Sequence, residues 1–118
     1  MIRVALVAAL VAVAVSLPAS ATVSPARVQV VAREFSLTLS RPSVRTGPAI
    51  VELANFGEDP HDLRVQRVGG TKVYGTPIVQ PGRVYDLSLR LRPGRYRLWC
   101  SLGDHRARGM IATLVVTR

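Results

Sequence analysis

The chain has 118 residues, a formal charge of +9 and a single cysteine. That length holds one domain and leaves no room for two, while one thiol excludes an internal disulfide and any iron–sulfur cluster. The basic balance does not point to nucleic acid, because the arginines are scattered through every segment and no nucleic-acid motif with interleaved aromatics is present.

The chain opens with Met1-Ile2-Arg3, continues as an apolar run from Val4 to Val15, and closes that stretch with Ser16-Leu17-Pro18-Ala19-Ser20-Ala21. A basic start, a short apolar centre and small residues at the end are the three parts of a secretory signal peptide. The expectation is a signal over residues 1–21, cleaved after Ala21, and a single domain over 22–118. The run falls short of the roughly 20 apolar residues a bilayer span needs, so an uncleaved anchor is the second alternative. With Arg3 lost, the remaining domain carries about +8. Export to the periplasm or the cell exterior puts Cys100 where thiols usually pair, and a lone thiol there is left with an intermolecular bond or a metal.

Beyond the signal the hydrophobic period is two. Phe35, Leu37 and Leu39 alternate with polar residues, as do Leu87, Leu89 and Leu91, and then Tyr96, Leu98 and Cys100. Such runs are strands with one face toward a core. Turn chemistry separates them at Arg41-Pro42, Gly47-Pro48, Asn55-Phe56-Gly57, Gly69-Gly70, Pro81-Gly82 and Pro93-Gly94. Strands are expected near residues 27–33, 34–40, 49–54, 61–67, 83–91, 94–100 and 109–117, with a short one near 72–74. The fold class is all-β, a Greek-key antiparallel sandwich or barrel of about seven to eight strands.

Four side chains carry the chemistry: His61, Cys100, His105 and Met110. The two histidines are the only ones in the chain. Taken singly, each residue is more ordinarily a core thiol, a strand-end histidine or a core-filling Met. Together, a thiolate, two imidazoles and a weak thioether form the donor set of a blue-copper centre. Zinc would accept the Cys and the two His but gains little from a thioether. Cys100 ends a strand, His105 lies in the next loop, Met110 begins the last strand, and His61 follows a separate turn. A strand-loop-strand unit with one neighbouring segment can therefore surround a single copper ion.

Tyr96-Arg97-Leu98-Trp99-Cys100, Gly103-Asp104-His105, Arg108-Gly109-Met110, Asn55-Phe56-Gly57 and Pro60-His61-Asp62-Leu63 resemble the plastocyanin/azurin class of cupredoxins. The spacing of four residues from Cys to His, and four from His to Met, is most similar to the rusticyanin and sulfocyanin-like branch. The resemblance implies a Greek-key sandwich with copper near one end and one-electron transfer through the edge of His105. It implies His61, Cys100 and His105 as strong ligands and Met110 as the axial one, with the Asp62 N–H bonded to the Cys100 sulfur. Relatives often carry Pro-Gly before the second histidine, where this chain has Gly103-Asp104, a change that bears on the redox potential. Leu63, Leu102 and Ile111 are the expected apolar shell, and Asn55 is expected to shape the turn before His61.

The resulting expectation is an exported type 1 copper protein that carries one electron between redox partners and catalyses no reaction. The arginines flanking His105, Arg106 and Arg108, could meet an acidic docking surface on a donor or acceptor, or simply be solvated loop residues. Trp99, the only tryptophan, is either part of an electron route or an aromatic cover on the sheet. The domain is expected to be a monomer without stable membrane insertion. The alternative function is extracytoplasmic copper delivery, against which the scarcity of Met and His argues. A copper oxidase would need histidines beyond these two, and a hydrolase would need one as a general base.

Overall fold

Alternating inward and outward side chains build nine strands among the described residues. The computed structural model describes residues 1–19 and 22–118; the cleavage point expected after Ala21 lies outside the described residues. Residues 1–19 contain no helix or strand, and no described helix is long and apolar enough to cross a membrane.

The strands are β1 (Ala26–Arg33), β2 (Ser36–Leu39), β3 (Ser43–Arg45), β4 (Gly47–Asn55), β5 (Arg64–Arg67), β6 (Val73–Gly75), β7 (Val84–Leu91), β8 (Gly94–Trp99) and β9 (Ile111–Thr117). They form a four-stranded sheet in the order β2-β1-β4-β7 and a five-stranded sheet in the order β3-β9-β8-β5-β6. Inward residues of both sheets make one core: Val28 and Val30 from β1, Val51 and Leu53 from β4, Val65 from β5, Leu98 from β8 and Leu114 from β9, all buried. On β8 the buried Tyr96 and Leu98 alternate with exposed Arg95 and Arg97, as the period-two pattern requires. The Tyr96 hydroxyl closes the turn before it, accepting the Arg92 N–H at 2.9 Å and donating to the Arg92 carbonyl at 3.1 Å.

The all-β sandwich therefore stands, with differences in detail. There are nine strands rather than seven to eight, because the short β3 forms between Pro42 and Gly47, too brief to show alternation. The sheets are mixed rather than antiparallel: β1 pairs β4 and β3 pairs β9 in parallel. The chain crosses to the other sheet as β3 between β2 and β4, so β4 returns alongside β1 in the same direction. The strand expected over 34–40 starts at Ser36, which leaves Glu34 and Phe35 in a turn. The strand expected over 61–67 starts at Arg64, and His61 makes only an isolated bridge to Val79.

These details position one end of the sandwich. The β1–β2 turn, the loop after β4 and the loop between β8 and β9 meet there, tied by the Phe56 N–H to the Ala32 carbonyl at 3.0 Å and by the pairing of Trp99 with Ile111. The register is testable: Leu98→Ala, at a fully buried position, should cost about 2–5 kcal/mol in denaturant unfolding. Ile111→Ala, on the outward side of β9, should change stability by no more than about 0.5 kcal/mol.

Candidate metal centre

Cys100 directly follows β8, and the alternation of that strand carries its sulfur inward, where it is fully buried. Its N–H donates to the Met110 carbonyl at 3.2 Å, and the Met110 N–H donates to the His105 carbonyl at 3.0 Å. The loop between them is closed further by His105 N–H to the Leu102 carbonyl and Gly109 N–H to the Arg106 carbonyl, at 3.0 and 3.1 Å. Tight turns thus bring the backbones of Cys100, His105 and Met110 together. Met110 is fully buried at the threshold of β9.

His61 arrives from the other side. Its backbone exchanges two hydrogen bonds with Val79, at 3.1 and 2.7 Å, and its ring is fully buried. Asn55 holds the preceding loop: its Nδ2 donates to the carbonyls of Asp59 and Val79 at 2.8 and 2.9 Å, and its Oδ1 accepts the Gly57 N–H at 2.9 Å. The expected role of Asn55 holds, but through its side chain and not through special backbone angles, since no non-glycine residue among those described has positive φ.

The two segments bring His61, Cys100 and His105 together. His61 Nδ1 lies 3.2 Å from His105 Nδ1, and Cys100 Sγ lies 3.9 and 3.6 Å from those two nitrogens. Donors about 2.0–2.3 Å from one ion in a trigonal array stand roughly 3.5–3.7 Å apart, so the observed edges suit a shared metal. The chemistry of the donors, one sulfur and two imidazole nitrogens with a buried Met beside them, suits copper.

Glu34 was not foreseen as part of this site. Its Oε1 lies 2.8 Å from His61 Nε2. A carboxylate can only accept, so Nε2 carries the ring proton and Nδ1 presents its lone pair to the other donors. The Asp59 N–H holds the Glu34 carboxyl down at about 2; desolvation opposes this, while the Glu58 N–H and His61 add to it. Gly57 makes this approach possible, because a Cβ there would collide with the Glu34 carboxylate. The sequence signal was hidden, since Glu34 and Phe35 continue the period-two alternation and look like strand.

Phe35 packs edge-on against the half-exposed His105 ring, with centroids 5.2 Å apart, and the Arg108 guanidinium caps the other side of Phe35 at 3.9 Å. Gly109 lets the turn come this close, because a Cβ there would sit 2.8 Å from the Phe35 carbonyl oxygen. Burial pushes the Cys100 thiol above its usual range, opposed by hydrogen bonds from the backbone N–H groups of Asp62 and Leu102. Leu63 is buried and Leu102 packs against the core, but Ile111 is 46% exposed and is not part of the apolar shell. With Met110 inward, alternation turns Ile111 to the outer face, beside Trp99.

Several solved structures share this architecture. A reduced auracyanin from the photosynthetic bacterium Roseiflexus castenholzii superposes with a TM-score of 0.64 at 16% identity, over 82% of this chain and 100% of its own. Auracyanin A, a "blue" copper protein from the green thermophilic photosynthetic bacterium Chloroflexus aurantiacus, gives 0.62 at 9% identity, over 80% and 100%. Reduced rusticyanin gives 0.58 at 19% identity, over 80% and 82%. A multicopper oxidase chain is matched as well, over 41% of its length. No protein-family model and no curated protein matches the sequence. The chain shares the all-β sandwich fold of these copper proteins.

Removing the Glu34 carboxylate leaves the His61 ring without its orienting partner. Glu34→Ala should weaken copper binding by about 10–100-fold in competition with a chelator, and Glu34→Gln should recover part of the loss.

Proposed function

We propose that this chain is an exported one-electron carrier that holds one copper ion through His61, Cys100 and His105, with Met110 as the weak axial donor. The observation that carries this proposal is the triangle of His61 Nδ1, His105 Nδ1 and Cys100 Sγ at 3.2–3.9 Å. When bound, copper supplies a Cu(II)/Cu(I) couple, and no substrate bond has to be made or broken.

The residues of the chain do the remaining work. Two separate segments hold the donors in place, so they need little rearrangement when charge changes. Burial of His61, Cys100 and Met110 keeps water off three sides, while half-exposed His105 gives the electron a short way out. Export rests on the signal pattern of residues 1–21 and places the protein in the periplasm or outside the cell. Its partners are a redox donor and a redox acceptor, met in brief, charge-steered encounters by a monomer.

Copper delivery is the second reading. It fits less well, because a buried imidazole and a buried thiol on a rigid sandwich release metal reluctantly. An oxidase role is disfavoured, since both histidines of the chain converge on this one centre.

Copper(II) added to the domain should give an intense blue colour that bleaches on reduction with ascorbate. Cys100→Ser should abolish the colour, and Met110→Leu should keep it with a shifted potential. A colourless wild-type complex, or rapid copper loss to a chelator across redox cycles, would exclude the carrier.

A further inference from the structure

The seven Asp and Glu side chains are distributed unevenly. Glu34, Glu58 and Asp59 cluster through hydrogen bonds at the metal end, and Asp104 sits in the loop there beside His105. Glu52 and Asp86 face each other on the outer side of the four-stranded sheet, where Arg27 pairs with Asp86 at 3.6 Å. Asp62 is buried and occupied by Ser101 and Arg64. The outer face of the five-stranded sheet therefore carries no carboxylate side chain.

That face carries arginines instead. By alternation and register, Arg64, Trp99 and Ile111 form one outward row; Val73, Gln66, Arg97 and Thr113 form the next; Arg95, Val115 and Ser43 form a third. Arg45 extends it from β3, and the Arg106 guanidinium lies 4.6 Å over the Trp99 ring. Val73 and Ile111 are 47% and 46% exposed within this array. One tryptophan and several arginines on a flat surface are the composition of a protein-binding hot spot.

We infer that an acidic redox partner docks on the outer face of the five-stranded sheet, over Trp99 and its arginines, and not on the loop around His105. The inference rests on the proposed carrier role and specifies where its partner binds. Two observations favour it. Trp99 directly precedes Cys100 in the chain, so a covalent path leads from this face to the centre. Apart from Arg106, which leans over Trp99, the His105 end mixes Arg33 and Arg108 with four carboxylates, which weakens its pull on an acidic surface. Five strands of three to seven residues, about 4.8 Å apart and rising about 3.3 Å per residue, present roughly 360 Å². That area suits a transient electron-transfer contact, whose total buried surface stays below about 1,200 Å². A lipid surface fits less well, since Val73 and Ile111 lie within the sheet and only Val68 stands in a turn at its rim.

The test uses the isotope-labelled chain, copper(I)-loaded and metal-free, titrated with poly-L-glutamate at low ionic strength and followed by amide NMR shifts. Shifts should centre on Arg64, Arg95, Arg97, Trp99 and Thr113 and fade as salt shortens the screening length to about 8 Å. Arg95→Glu/Arg97→Glu should weaken binding at least about tenfold, and the charge-matched Arg27→Glu/Arg90→Glu by less than about twofold. Shifts centred on residues 101–110, equal weakening by both double variants, or binding to phosphatidylserine-containing vesicles with none to poly-L-glutamate would each overturn the inference. Because the map is also made without metal, failure of the copper colour counts against the carrier role and leaves the surface to be judged on its own.

Discussion

A buried carboxylate holds the two halves of the metal end together. Asp62 is 1% exposed, follows His61 directly, and accepts the backbone N–H of Ser101 at 2.6 Å as well as the Ser101 hydroxyl. Ser101 in turn follows Cys100. One side chain therefore links the residues next to two of the converging donors, across 39 positions of sequence. Burying such a charge would cost several kcal/mol if it were left unpaired. Here Arg64 completes the pairing from the rim at 3.2 Å, and charge-assisted hydrogen bonds of about 1.5–3 kcal/mol each offset the loss of water.

Around that link, a second tier of contacts aims the rings. Glu34 fixes which nitrogen of His61 is free, and Phe35 limits how far the His105 ring can turn. Adjacent residues of one turn thus control both imidazoles. The arrangement explains the glycines opposite the β1–β2 connection: a side chain at Gly57 would displace the Glu34 carboxylate, and one at Gly109 would press on the Phe35 backbone. Burial opposes ionisation of Cys100, so a thiolate requires the compensation that a metal cation provides.

The sandwich and its core faces were legible because alternation over β2, β7 and β8 reports burial directly. The donor set was legible because only two histidines and one cysteine exist to be used. Other features were not. The parallel pairing of β1 with β4 depends on β3 crossing to the other sheet, and three residues leave no periodicity to read. Glu34 and Phe35 were absorbed into a strand, since the alternating pattern cannot tell the last residue of a strand from a turn. Ile111 follows Met110 directly in sequence. On a strand that closeness means opposite faces.

The inversion at Ile111 also shows how the molecule separates its tasks. Each residue of the β8–β9 unit that turns inward, Leu98, Cys100, Met110 and Leu114, packs the core or meets the metal donors. Each neighbour that turns outward, Arg97, Trp99, Ile111 and Thr113, lies on the arginine-bearing face. One β-hairpin of period two therefore writes two surfaces with different chemistry only a sheet's thickness apart. The inward set is restricted by packing volume and donor type, so it tolerates little change. The outward set is restricted by the charge of whatever it meets. A molecule built this way can alter its outer face without rebuilding its candidate metal site, because alternation keeps the two from sharing a residue.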